Sequence, residues 1–276
     1  MEQTFANTEV LDFYKEFPFN YLENVESHVL SIRDHDLSDY PSLVPLLSDQ
    51  TRVLDVGCGT GWLGMSIAYH YHAHVTGIDL NPVGVERARE INSELDLKMI
   101  LEVEDLFTFK PKSLFDVVVS LGVLHHTNDC HAAIRKLCTT FVVPDGHVFI
   151  GLYHKYGRQP FLEHFRQMKE SGASEEDMLV RYRELHSWLK DDVQIRSWFR
   201  DQVLHPHETQ HTLREIVQVL DECDMTLVST SINHFNPFQT LDELYELEPS
   251  YYNLAHKRLG DGVYFPGFFV FLARRN

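Results

Sequence analysis

The segment Val53-Leu54-Asp55-Val56-Gly57-Cys58-Gly59-Thr60-Gly61 constrains this chain more than any other. A short apolar run carrying one acid passes into three alternating glycines, and an apolar helical stretch opens near Trp62. Without Cβ atoms such a turn can be tight, and a ligand can approach its main chain closely. A strand, a glycine turn and a helix in that order suit a sheet buried on both faces. The same alternation recurs along the chain. Arg52–Val56, His74–Asp79, Lys98–Val103, Asp116–Leu121 and His147–Leu152 read as five strands, and Met225–Ile232 and Gly267–Ala273 bring the count to seven. Asn81 with Pro82, Asp129, and Thr212 with Glu215 are the expected helix starts. The predicted fold is α/β, a seven-stranded, mostly parallel, doubly wound sheet with helical lid insertions.

Two segments stand outside the alternation. His154–His211 carries helical patterns at Phe161, Phe165 and Met168, and again at Met178, Tyr182, Leu185 and Leu189. Asn233–Phe265 is acidic and aromatic. Each follows the C-terminal end of a predicted strand, the edge at which open parallel sheets bind ligands. Segments of this length are often functional. The chain is thus expected to be one domain over 1–276. Residues 1–41 form an N-terminal helical cap, 42–153 the cofactor-binding core and 154–211 a lid insertion. Residues 212–276 complete the core and carry a substrate-side insertion at 233–265.

Further motifs follow the glycine loop. Asp79 ends the second strand, where a carboxylate can accept both hydroxyls of a ribose. Asp105 ends the third, within reach of an adenine amino group, and Leu80 and Leu106 are placed to sandwich the base. Asp116–His126 closes the fourth strand through Leu121 and Gly122. A nicotinamide dinucleotide site would favour Gly-x-Gly-x-x-Gly, whereas this loop runs Gly57-x-Gly59-x-Gly61, with Gly64 a partial match. Taken together, in this order and spacing, the motifs resemble the class I S-adenosylmethionine-dependent methyltransferases, which have a Rossmann-like fold. The match is close over Arg52–Leu152 and looser over the last two strands. The resemblance implies S-adenosyl-L-methionine as cofactor. It implies Asp55, Gly57, Cys58, Gly59 and Gly61 as the methionine-side loop, and Asp79 as the ribose acid. Leu80, Asp105 and Leu106 would meet the adenine, and Leu121 and Gly122 would adjoin the cofactor.

Methyl transfer is an in-line displacement at a carbon already activated by positive sulfur. An enzyme then supplies alignment and sometimes a base. The candidates are His125 and His126 after the fourth strand and Tyr153 after the fifth. The histidines could equally pack under the cofactor and start a helix. His154, Arg158, His207 and His211 are the candidate substrate contacts. Arg158 could clamp a carboxylate or phosphate, or form a surface ion pair. His207-Glu208-Thr209-Gln210-His211 is a literal H-E-x-x-H, but Pro206 precedes it and a helix starts at Thr212. The zinc-protease reading needs both histidines on one helix. His205, His207, Glu208 and His211 are therefore expected first as lid or substrate contacts, then as capping and turn residues, with a metal site the third and last alternative; none is expected to hold a metal.

Charge narrows the partners. Forty-one acidic against 24 basic residues give a formal charge of −17, which repels phosphate backbones. Nucleic acid is not an expected partner, nor is a membrane, since the start is no signal peptide and no long apolar run exists. Four cysteines with no C-x-x-C spacing fit a reduced, cytoplasmic protein. The expected activity is methyl transfer to an oxygen, nitrogen or sulfur atom of a small-molecule metabolite by a monomer or homodimer. The alternative is a non-methylating use of S-adenosylmethionine, its cyclisation or lysis to methylthioadenosine. A silent cofactor-binding protein is a third.

Overall fold

The apolar run that precedes the glycines is the first strand of a seven-stranded sheet in a computed structural model, which describes residues 8–276. Two N-terminal helices come before it, α1 (Thr8–Glu16) and α2 (Val25–Arg33). Then β1 (Arg52–Val56), α3 (Trp62–Tyr71), β2 (His74–Asp79), α4 (Pro82–Glu94), β3 (Ile100–Val103) and β4 (Phe115–Leu121) alternate. After α5 (Cys130–Lys136) and a π turn over Leu137–Phe141 comes β5 (Val142–Tyr153). Three helices follow: α6 (Lys155–Glu170), α7 (Glu175–Leu185) and α8 (Asp192–Val203). The chain ends through α9 (Leu213–Glu222), β6 (Met225–Thr230), α10 (Leu241–Leu247), α11 (Ser250–Gly260) and β7 (Phe268–Arg275). The strand order is β3-β2-β1-β4-β5-β7-β6, with β7 antiparallel to both neighbours.

The expected caps form. Asn81, Asp129 and Thr212 each accept a hydrogen bond from an N–H of the following first turn, and Glu215 closes a capping box with Thr212. β4, β5 and β7 shift by one or two residues at some ends, and three boundaries differ for a visible reason. The expected Lys98 start of β3 moves to Ile100, because Leu97 and Met99 donate their N–H groups back to Asn92. β5 begins at Val142, five residues early, its register with β4 shifting between Phe115 and Val117. β6 stops at Thr230, whose hydroxyl donates to the Val270 carbonyl and accepts the Ile232 N–H of a short 3-10 turn.

Alternate residues of the central strands feed two cores. Leu54, Val56, Val118 and Ile150 pack with α5 and α9, while Val53, Val117, Val119 and Phe149 pack with α2, α3 and α4. Helices α6 to α8 build a third apolar cluster from Phe161, Phe165, Met178, Tyr182, Ile195 and Phe199. Asp191 and a Ser174–Asp177 capping box start two of its helices. The four cysteines are buried free thiols. Among the described residues no helix is long and apolar enough to cross a membrane.

Candidate functional site

The strand order reverses between β1 and β4, and ligands of open α/β sheets bind in the crevice beyond the strand ends at such a point. The glycine loop leaves β1 at that point. Gly57 has φ +74°, and a Cβ built on it would lie 2.4 Å from both γ carbons of Val123. Only glycine fits there. Beyond it the chain opens: at Gly59 and at Gly122, which follows β4, an added Cβ would meet nothing within 4 Å. Both main-chain stretches leave strands that flank the switch point, and each has open space before it.

Carboxylates hold this cradle. Asp79 accepts the Gly59 N–H at 2.8 Å through Oδ2 and the Asn81 N–H at 2.7 Å through Oδ1. It thereby ties the glycine loop to the end of β2, with lone pairs remaining for a ribose diol. Asp55 is buried and accepts the Gly64 N–H at 3.0 Å, anchoring α3 to β1. Burial pushes its carboxyl up to about 7, against the opposing pull of that N–H. Burial also raises the Asp79 carboxyl. Cys58 sends its side chain into the core, leaving only its main chain for a ligand. Asp105 accepts the Phe107 N–H at 2.8 Å in a tight turn. Leu80 is exposed and Leu106 lies in the core, so the two differ in what they can offer a base.

Beyond β4 and β5 lies a polar cluster under the helical layer. His125 and His126 sit on a 3-10 turn, both buried. The His125 ring lies 4.3 Å from those of His126 and Tyr153, and neither of its nitrogens has a hydrogen-bond partner. Burial, then the neighbouring His126 and Arg158, hold it well below the usual imidazole range. Burial takes His126 to about 3. Both rings are therefore neutral near pH 7 and weak as bases. Tyr153 is pushed far up by burial. Tyr14 on α1 donates its hydroxyl to Asp201 on α8, and its carbonyl accepts from Asn81 Nδ2 at 2.9 Å. One N-terminal tyrosine thus connects the cradle to the helical layer.

The expected substrate contacts are spent differently. Arg158 is no surface residue: it is fully buried, and its fork is filled by Glu208 at 3.0 and 2.9 Å. It also donates to the Gln202 carbonyl at 2.7 Å and lies 3.9 Å over the Tyr153 ring. Its Nη1 has no partner among the described residues. His154 caps α6, and its Nε2 meets the buried Glu248 at 3.0 Å, away from the polar cluster. His207 joins the loop after β4 through the Thr127 carbonyl at 3.1 Å, and His211 bonds Thr209 at 2.9 Å. The H-E-x-x-H stretch is loop, as its proline and capping box require. The segment 233–265 braces α6 and α9. Tyr14, Asp201 and Gln202 escaped the sequence reading; the one signal is a polar pair, Asp201 and Gln202, in a helix that also buries Ile195 and Phe199.

The buried imidazoles carry a pH signature. Burial lowers His28, His186 and His211 to about 4, His126 to about 3 and His205 to about 2, from 6.5. Folded values below the unfolded one mean stability is full above 6.5 and falls as the pH drops towards them. Asp55 and Asp201, both raised to about 7, act oppositely. Their stabilisation is present at low pH and lost as the pH rises through 7. Each histidine forfeits about 1 kcal/mol between about pH 6.5 and 5.5, and each carboxyl regains about as much. Urea unfolding of the metal-free chain should show stability falling over that unit, because the lowered histidines outnumber the raised carboxyls. A flat or rising stability would contradict the buried neutral histidines.

Comparison with known proteins agrees with this geometry. The family model described as a methyltransferase domain matches residues 47–192. Ubiquinone biosynthesis O-methyltransferase of Salmonella paratyphi A is 30% identical over 149 residues, 51% of this chain and 61% of its own. The enzyme of the same name from Neisseria meningitidis serogroup C is 42% identical over 108 residues, 38% of this chain and 44% of its own. The chain thus spans about three fifths or less of these relatives' length. Magnesium protoporphyrin IX methyltransferase of Synechocystis PCC 6803, solved with SAH, shares the fold. Its TM-score is 0.57 at 16% identity, over 98% of this chain and 100% of that one.

Proposed function

The chain belongs to the methyltransferase-domain family of S-adenosylmethionine-dependent enzymes, and we propose that it methylates an oxygen, nitrogen or sulfur atom of a small molecule. The observation that carries the small-molecule reading is the roof over the sheet edge. Tyr14 is tied to Asn81 after β2 and to Asp201 of α8, and its ring packs 6.3 Å from that of His126 after β4, so α1 and α8 close over this edge. A polymer would need that edge open. The charge of −17 adds an argument against a polyanion. Relatives named for O-methyl transfer in ubiquinone biosynthesis support the same class.

In this reading S-adenosylmethionine supplies an activated methyl group. Gly59 and Gly122 offer main chain to it, and Asp79 takes its ribose. His125, His126 and Tyr153 line the acceptor side, where their work is alignment and exclusion of water. The neutral, buried histidines make poor bases, so the acceptor's proton passes to water or another group. His154, His207 and His211 hold the loops that shape the site.

The test is transfer of an isotopically labelled methyl group, with the acceptors supplied as separate small-molecule, protein and nucleic-acid fractions. Label is expected in the small-molecule fraction alone. Label appearing only in macromolecules would overturn the reading.

A further inference from the structure

We propose that His126, Asp201 and His205 form a binding site for one divalent transition-metal ion. The three come from separate segments: the turn after β4, the last turn of α8 and the loop beyond it. One ligating atom from each lies within 4.8 Å of the others. A tetrahedral site with bonds of about 2.0–2.1 Å has edges of about 3.4 Å. The side chains therefore need to close by roughly 1 Å.

Hydrogen bonding prepares these atoms for a cation. His126 Nδ1 lies 2.9 Å from the His207 carbonyl, which fixes the proton on Nδ1 and leaves a lone pair on Nε2. That Nε2 is buried, has no hydrogen-bond partner among the described residues and lies 3.9 Å from Asp201 Oδ1. A buried, unsatisfied imidazole nitrogen is costly unless something accepts its lone pair. The second ring, His205, packs 3.8 Å from the first, and its Nε2 is likewise buried without a partner. Tyr14 donates its hydroxyl to that same Oδ1 and so orients Asp201, as outer groups orient ligating carboxylates. His205 Nδ1 now accepts the His207 N–H at 3.0 Å. Ligation through Nε2 moves the proton to Nδ1 and releases that bond, so His205 is the weakest ligand.

Two imidazoles and one carboxylate suit zinc, iron or cobalt in the divalent state and do not suit magnesium or calcium, which prefer oxygen. Three protein ligands leave positions for water or for an oxygen atom of the acceptor. That second role rests on the methyl-transfer reading; the site itself does not. The H-E-x-x-H stretch contributes only the His207 main chain. The ligands lie just outside it.

The full chain, stripped with chelator and dialysed, is titrated with Co2+. One equivalent should give visible d–d absorption, displaced by Zn2+ and unaffected by Mg2+. His126→Ala and Asp201→Asn should each weaken Co2+ binding at least about 100-fold, and His205→Ala about 10-fold. The exposed His72→Ala should bind as the parent does. Calorimetry with S-adenosylhomocysteine reports separately on the fold and cofactor site of each variant. Should a variant fail to fold, X-ray absorption of the zinc-loaded parent decides by counting imidazole and carboxylate ligands. No cobalt band, equal binding by His126→Ala, or another ligand set would overturn the proposal. Cofactor binding would then still stand on its own measurement.

Discussion

Asp79→Ala should weaken S-adenosylhomocysteine binding by about 100- to 10,000-fold, since two hydrogen bonds to a charged acceptor are each worth about 1.5–3 kcal/mol. The loss has two sources. A ribose diol would lose its acceptor, and the N–H groups of Gly59 and Asn81, now 2.8 and 2.7 Å from the carboxylate, would lose theirs. Asp79→Asn separates these sources, because its amide oxygen can still serve one N–H. The asparagine variant should keep most of the stability and recover only part of the affinity. Calorimetric affinities equal to the parent's in both variants would remove Asp79 from the cofactor site.

Arg158→Ala should lower folding stability by about 3–5 kcal/mol, because it leaves a largely buried carboxylate without its cation. The guanidinium holds Glu208 with two bonds, donates to the Gln202 carbonyl and covers the rings of Tyr153 and Phe161 at 3.9 and 4.6 Å. Its removal therefore also strips the packing between β5 and α6. Glu208→Gln combined with Arg158→Met should recover much of the loss, since the pair disappears together and the volume stays. A double-mutant cycle measured by urea unfolding reads the coupling. A loss under about 1 kcal/mol for Arg158→Ala would make the pair no more than a surface contact.

What the sequence makes legible is what local chemistry decides. β1 and β2 match their expected bounds residue for residue, each being an apolar run ending in a glycine turn or an acid. Asn81, Asp129 and Thr212 cap helices because a short polar side chain before an apolar face has little else to do. The periodic Phe161, Phe165, Met178 and Tyr182 mark a helical layer, and they become its core. The polar cluster is different in kind. Tyr14 and Asp201 are 187 residues apart and meet only because α1 crosses the sheet edge to reach α8. Arg158 looks like a free cation in sequence because Glu208, its partner 50 residues on, lies in a loop with no period. His154 follows β5 as a substrate ligand would, yet the nearby buried Glu248 draws its ring elsewhere. The lost information is pairing across distance, which neither propensity nor spacing encodes.

Glu248 illustrates the same point from the other side. It lies in the acidic 233–265 segment, where a solvated charge is the default expectation. Instead it is buried, accepting from the Leu213 N–H at the start of α9 and meeting His154 Nε2. One carboxylate thus ties α9 to the cap of α6 beneath the helical layer.

The most direct measurement of the central claim is mass spectrometry of every product after incubation with S-adenosylmethionine, alone and with a small-molecule acceptor fraction. The account predicts little turnover alone, and S-adenosylhomocysteine with a methylated small molecule once acceptors are added. Methylthioadenosine formed from S-adenosylmethionine alone would contradict it.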